Sequence, residues 1–277
     1  MSISAKEVKE LRDQTGAGMM DCKKALEEAE GDFERAKEIL RKKGQKLSEK
    51  RADREADQGL IITKVSDDGT KAAALEINCE TDFVARNEDF QTKANQFTDL
   101  VYTEEIESVD ELLDAELNGT KVSNHLKDMV GKIGEKIKIN QVILQKTDGQ
   151  LVSYIHPGNQ LGVLVEFEDK LENGEIGKDV AMQIAAMNPL SVDRDGVDET
   201  LVNKELEIAR EQLINEGKPE EIADKAAKGK LRRFYEENVL LEQKFVKDNS
   251  VSVKEYLEQN DAPMVKSFHR LQLGDQS

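Results

Sequence analysis

The sequence predicts an α+β fold with three parts: a small N-terminal three-helix bundle, a duplicated α/β core of two half-domains, and an inserted antiparallel helical hairpin. Three observations lead there. First, Ala73, Leu75, Ile77 and Cys79 alternate with Glu76, Asn78 and Glu80, which reads as a strand with one buried face and one facing solvent, and are followed by Phe90, Ala94, Phe97 and Val101 at helical spacing. Second, the same order of hairpin, alternating strand, loop and helix recurs later in the chain. Third, Val202, Leu206, Ala209 and Leu213 repeat at intervals of four, three and four, the pattern of a helix–helix seam.

Residues 1–44 read as three short helices. Ser4 and Glu7 form a capping box, in which the hydroxyl accepts from the Glu7 N–H and the carboxylate reaches back. Val8 and Leu11 give the first helix its apolar side, and Gly16 and Gly18 end it. Met19, Cys22, Leu26 and Ala29 form the core stripe of the second helix. Met20 falls off that stripe, beside Lys23, Lys24 and Glu27. Phe33, Ala36 and Leu40 mark the third helix. A bundle this small is marginal alone and is expected to act as a mobile recognition module.

Residues 45–58 have almost no apolar face and read as a charged tether. Residues 59–145 form the first half-domain. Leu60 to Val65 and Lys71 to Cys79 flank an Asp-Gly turn. The Phe90 helix comes next, then helical stretches around Leu112, Leu113 and Leu117 and around Leu126, Met129, Val130 and Ile133. A second strand set runs from Ile137 to Leu144, Leu151 to His156 and Leu161 to Phe167, followed by a helix around Val180, Ile184 and Met187. The second half-domain takes residues 146–196 and 242–277, closing with a small helix near Val253 and Tyr256 and a strand from Val265. Residues 197–241 are the inserted hairpin. Its second helix carries Ala223, Ala227, Leu231 and Phe234. Two helices cannot cover their own apolar faces, so the hairpin is expected to pack on the body or on another copy of the chain.

Composition narrows the function. The 277 residues carry a formal charge of −17, 35% charged residues, 4% aromatics and no Trp. An acidic chain is a poor general binder of phosphate backbones. Cys22 and Cys79, the only cysteines, fall on apolar faces and read as buried thiols. No zinc spacing occurs. No apolar run approaches membrane-spanning length and the N-terminus lacks a signal-like apolar region, so a cytoplasmic location is expected. Asp193-Arg194-Asp195-Gly196-Val197-Asp198 lacks the full calcium-loop spacing and reads as a solvated turn. Gly131 to Lys136 lacks the phosphate-loop spacing and reads as a helix C-cap running into a strand. Cys79, His156 and Asp82 nominally make a thiol triad. No local signature supports it, and a core Cys and a turn His are the stronger reading.

The stretch from Glu80 to Arg86 is the candidate site. It places Asp82 and Phe83 between a strand end and a helix start. Local sequence alone favours a helix cap beside a core Phe. The competing reading is a probe loop, with an aromatic ring and an acid aimed at a partner.

Two longer motifs then carry a resemblance. Lys9-Glu10-Leu11-Arg12 with Thr15-Gly16-Ala17-Gly18-Met19-Met20-Asp21-Cys22-Lys23-Lys24-Ala25-Leu26, and Thr81-Asp82-Phe83-Val84-Ala85, resemble the two signatures of the translation elongation factor Ts family. Lys132-Ile133-Gly134-Glu135 and Gly162-Val163-Leu164-Val165 also fit. The resemblance implies a guanine-nucleotide exchange factor for the GTPase elongation factor Tu, with no catalytic residues, metal or cofactor of its own. It implies a ubiquitin-associated-like N-terminal bundle resting on the GTPase nucleotide domain through Arg12, Met19, Met20 and Lys23. It places Thr81, Asp82, Phe83 and Val84 at the partner, with the Asp-Phe pair near the magnesium site. His156 matches a histidine beside the nucleotide domain, and the second half-core is expected to touch a β-barrel domain. The turn after His156, with Pro157-Gly158, is longer than in the members it resembles. Longer members add a C-terminal helical module, and this sequence stops soon after Leu273, so that contact is expected to be missing. The competing class is an adaptor or chaperone using the bundle to read a ubiquitin-like fold; RNA binding ranks third.

Overall fold

The computed structural model describes residues 3–275, so the first and last spans above extend slightly outside the described residues. The fold is α+β: helices and small antiparallel sheets. Three helices come first, α1 (Ala5–Thr15), α2 (Met19–Glu28) and α3 (Phe33–Lys50). The predicted capping box is present at Ser4 and Glu7. Val8, Leu11, Cys22, Ala25, Leu26, Ala29 and Ala36 form their core. Met19 is a correction to the predicted stripe: it lies 46% exposed at the first position of α2, directly after the extended N-cap Gly18, and takes no part in the bundle core.

The third helix does not stop at Gly44. It continues to Lys50 through the stretch predicted as a tether. Two contacts explain this. Leu47 packs against the first half-domain core, and Gly44 lies against Gly131 of α7 (Val122–Ile133). The charged residues face solvent while one narrow side of the helix is covered.

The first sheet has the order β1 (Gln58–Val65), β2 (Lys71–Cys79), β5 (Ile137–Lys146), all antiparallel. The strand from Ile137 therefore belongs here and not to the second strand set. Between β2 and β5 run α4 (Asp82–Ala85), α5 (Glu88–Glu104), α6 (Val109–Asp114), the two-residue strands β3 (Glu116–Leu117) and β4 (Thr120–Lys121), and α7. Leu117 is thus in a short hairpin rather than a helix, with Asn118 and Gly119 at positive φ making the turn.

The second sheet has the order β10 (Val265–Gln272), β7 (Leu161–Phe167), β6 (Gln150–Ile155), again antiparallel. It carries α8 (Gly174–Met187) and α11 (Val253–Gln259). A small hairpin, β8 (Lys244–Phe245) and β9 (Asp248–Ser252), was not signalled by alternation because β8 has only two residues and β9 is mostly polar and exposed. In both sheets the central strand is the second strand of a hairpin, and the other edge is a strand that returns later.

The two sheets pack face to face. Ile61, Ala72, Ala74 and Ile143 meet Leu151, Leu164 and Leu271, while α5 covers the outer face of the first sheet and α8 that of the second. The result is four layers, helix, sheet, sheet, helix. Strand β2 is consequently buried on both faces, not one. Glu76 and Asn78, predicted to face solvent, are 2% exposed in the inter-sheet layer, where the Asn78 amide donates to Glu76 at 3.0 Å. The alanines at 72 and 74 and Gly162 on β7 keep this layer thin: a Cβ on Gly162 would lie 2.6 Å from Ile61 Cγ2.

The inserted hairpin is α9 (Glu199–Asn215) and α10 (Glu220–Asn238). Ala209, Leu213, Ala223 and Ala227 form a core of their own, and Val202, Leu206, Leu231 and Phe234 are only half-buried. Ile208 and Ile222 remain exposed. The ends of the insertion lie close together. Ser191 bridges Val239, and Arg194 Nε and its terminal nitrogen donate to both Glu242 oxygens at 2.5 and 2.6 Å. Val239 and Leu240 are fully buried in the body, so the insertion itself is narrower than residues 197–241.

Candidate partner-binding site

Strand β2 ends at Cys79, paired with Ile137 at the start of β5. The register continues past the backbone ladder, with side chains taking over its hydrogen bonds. Glu80 faces Lys136, whose N–H donates to Glu80 Oε1 at 2.6 Å. Thr81 faces Glu135: its N–H donates to Oε2 at 3.0 Å and its hydroxyl to Oε1 at 2.7 Å. Glu135 is delivered by the left-handed Gly134 that caps α7, at φ 83°. Here the helix C-cap predicted from the Gly131 to Lys136 stretch agrees with the fold.

Glu80 also accepts from Arg51 at 2.5 Å and Arg54 at 3.0 Å, in the turn after α3. Lys136 Nζ donates to the carbonyls of Ala52 and Arg54, at 2.5 and 2.7 Å. Desolvation works to raise the Glu80 pKa, but the Lys136 N–H and the two guanidinium groups outweigh it and hold the carboxyl at about 2. An ionised carboxylate therefore ties the end of the bundle to the base of the Asp-Phe turn.

Thr81 opens the one-turn helix α4 but does not cap it with its side chain, because the hydroxyl is turned to Glu135. On α4, Phe83 is 81% exposed, Val84 is half-buried against the first core, and Ala85 is buried. This is a short helix and not an open loop. The reading of Phe83 as a core residue is excluded by its exposure. Asp82 pairs with Arg86 at 3.0 Å across one turn. From the other side, Gln91 Nε2 donates to the Ala85 carbonyl at 3.2 Å, and Asn87 caps α5. The ring of Phe83 thus stands on a base held from three directions.

His156 lies in the turn between β6 and β7. It is exposed, and its Nδ1 is 2.9 Å from the Tyr154 hydroxyl. The turn is seated on β1, where the Ile61 N–H donates to the Asn159 carbonyl at 2.8 Å. Ile155 and Asn159 of this turn share a shallow depression with β1 and with Gln91 and Asn95 of α5. Gln91, which lines this depression, is the residue that also holds the Ala85 carbonyl at the end of α4. Cys79 takes no part in a triad. Its thiol donates to the Thr81 carbonyl at 3.1 Å, and burial, then the nearby Glu135 charge, push its pKa up to about 12.

On the bundle, Arg12, Met19, Met20 and Lys23 are all exposed, with Met20 at 63%. Lys23 pairs with Glu27 at 3.8 Å. Sequence reasoning missed a further apolar patch: Met187, Leu190 and Val246 are exposed. The Met187 carbonyl accepts from Gln243, and the Val246 N–H donates to Gln183. Its signal was hidden because Met187 sits on the same helical stripe as the buried Val180 and Ile184.

The described residues hold no cluster of three or more potential metal ligands and no helix long and apolar enough to cross a membrane. Asp193 Oδ1 takes the Gly196 N–H at 3.2 Å, making the predicted turn.

Comparison with known proteins agrees with the motifs. The profile of the family described as elongation factor TS matches residues 80–275. Elongation factor Ts of Chlorobaculum parvum is 48% identical over 98% of this chain and 99% of its own. That of Christiangramia forsetii is 46% identical over 98% and 99%, and that of Aquifex aeolicus 44% identical over 99% of each. The exposed Phe83 on its clamped turn lies inside the matched region, and the relatives extend the likeness through the bundle: the chain belongs to the elongation factor Ts family.

Proposed function

We propose that this protein is a guanine-nucleotide exchange factor that binds elongation factor Tu and promotes GDP release during translation elongation. The single observation that carries the reading is the ring of Phe83, which is 81% exposed on a turn held rigidly at its base. A large exposed ring on a fixed support offers a partner a big apolar area that needs little further ordering to be buried. Inserted near the magnesium and phosphate site of the GTPase, it would contribute about 1.5–3 kcal/mol of burial, about ten- to a hundredfold in an equilibrium. Asp82 either repels nearby phosphate or takes a hydrogen bond from a displaced backbone. No bond is made or broken by the factor itself. It acts because it binds the nucleotide-free GTPase better, and GDP must then weaken the factor by the same ratio.

In this reading Arg12, Met19, Met20 and Lys23 rest on the nucleotide domain, the bundle being ubiquitin-associated-like. Thr81 and Val84 hold the turn, and His156 borders the nucleotide domain beside it. The patch of Met187, Leu190 and Val246 suits contact of the second half-core with a β-barrel domain. The shared strand order of the two sheets supports an origin of the core by duplication. Exposure of Met19 and Met20 also suits an adaptor that reads a ubiquitin-like fold, but that reading leaves Phe83 unused. Release of fluorescent GDP from elongation factor Tu separates the two. Acceleration by catalytic amounts supports exchange, and tight binding without acceleration supports the adaptor.

A further inference from the structure

The hydrogen bonds at the end of β2 have a peculiarity. In an antiparallel ladder, backbone carbonyls accept the N–H groups of the facing strand. Beyond Cys79 and Ile137 that role passes to two carboxylates, Glu80 for the Lys136 N–H and Glu135 for the Thr81 N–H. Glu135 does more than close the ladder. It also takes the Thr81 hydroxyl, which would otherwise be free to cap α4. The Thr81 carbonyl accepts from the Cys79 thiol. Every polar group of Thr81 is therefore engaged, and the direction in which α4 leaves the sheet is set there, two residues before Phe83.

We propose that Glu135 is a positioning residue for nucleotide exchange: its two-oxygen grip on Thr81 fixes the direction of α4 and so the aim of Phe83. The proposal rests on the exchange reading above. Hydrogen bonds to a charged acceptor are stronger than neutral ones and directional, so the grip limits rotation about the Thr81 backbone. Loss of the grip leaves the sheet, the bundle and the exposed ring in place, because Ile137 still pairs with Cys79 and Glu80 still holds Lys136 and the two arginines. What is lost is the pre-set direction, and ordering it again on the partner has an entropic cost. The effect should appear in the maximal rate of GDP release, where Phe83 acts, more than in the concentration of factor needed for half of it, which the bundle also sets.

The test measures fluorescent GDP release from elongation factor Tu with the full chain, varying the factor concentration. Glu135→Gln, Thr81→Val and Thr81→Ser are made in the native chain and in the Phe83→Ala chain. Glu135→Gln and Thr81→Val should each lower the maximal rate by about tenfold, the order expected for a hydrogen bond to a charged group. Thr81→Ser, which keeps both donors, should restore most of it. On the Phe83→Ala background the same changes should cost less than about twofold, because the residue they aim is gone. Equal losses on both backgrounds, a full rate in Glu135→Gln and Thr81→Val, or unfolding of both would each overturn the proposal. If Glu135→Gln alone fails to fold, the Thr81→Val cycle decides. A native chain that does not accelerate release would instead overturn the exchange reading.

Discussion

Gly131 of α7 faces Gly44 of α3 so closely that a Cβ built on Gly131 would fall 2.8 Å from the Gly44 Cα. The near atom is backbone, so no side chain can swing away. Ala in a helix interior normally gains up to about 1 kcal/mol over Gly. Here the overlap should outweigh that gain, and Gly131→Ala should destabilise by about 1–3 kcal/mol. Gly229 on α10 has nothing within 4 Å of its Cβ position, so Gly229→Ala should stabilise by about 0.5–1 kcal/mol. Urea unfolding of both variants checks the opposed signs. Stabilisation by both would show that the helices separate without cost.

Phe83→Ala should leave the melting temperature unchanged, since the ring buries little in the free protein. It should slow GDP release by about ten- to a hundredfold. A variant that melts early but exchanges normally would contradict the assignment of the ring to the partner.

Met20 and Cys22 sit two residues apart on different faces of α2. Met20 is 63% exposed and Cys22 fully buried. Met20→Asp should weaken binding of elongation factor Tu with little change in stability. Cys22→Asp puts a charge into the small core of the bundle and should unfold it. Circular dichroism melts alongside binding titrations tell them apart, and matching losses of stability would mean the faces are misassigned.

Glu166 is buried between the sheets and accepts from Lys266, Thr147, Ser267 and Gln145 at 2.7–2.8 Å. Desolvation works to raise its pKa. The bonds from Lys266, Thr147 and Ser267 outweigh it, bringing the value from an ordinary 4.5 to about 2. A carboxyl depressed in the folded state adds stability above its unfolded pKa, and that stability is lost as pH falls through the folded value. Glu166→Gln should therefore cost about 1–3 kcal/mol at neutral pH. The gap from the native chain should narrow between pH 4.5 and about 2. Denaturant unfolding across that range measures it, and a gap independent of pH would refute the ionised form.

Replacing residues 198–238 by a short Gly/Ser linker should leave both half-domains folded, with exchange weakened but present. The cut spares Val239 and Leu240, which are fully buried in the body. GDP release, with mass by light scattering, is the readout. Complete loss of exchange in a folded variant would place the hairpin in the mechanism, and a change of mass would place it in self-association.

Much of this was legible in the sequence where a pattern extends over several residues. The stripe of Phe90, Ala94, Phe97 and Val101, the alternation of Ala73 to Cys79 and the seam around Ala209 and Leu213 each repeat enough to fix a face. The Asp-Gly turn and the Ser4 capping box carry their own chemistry. What was not legible depends on neighbours distant in the chain. Glu76 and Asn78 look like solvent-facing positions until a second sheet covers them. The stretch after Gly44 looks like a tether because its helix is held along one narrow edge by α7. At the candidate site, Asp82 and Phe83 could be singled out by residue type, but whether the ring was buried could not. Glu135 carried no local signal for its grip on Thr81, since the two meet only through the pairing of β2 with β5.

The edges of the two sheets close at different stages of synthesis. β5 follows β2 after a helical excursion, so the first sheet is complete once Lys146 has emerged. In the second, β7 pairs on one side with β6 at once, but its other partner, β10, comes only after α8, both hairpin helices and α11. Until then the strand Leu161–Phe167 has an open edge, the feature through which nascent chains pair with the wrong neighbour. In chain order the half of the molecule that carries Phe83 is complete before the other, and its face of Ile61, Ala72, Ala74 and Ile143 is the surface that the second sheet covers.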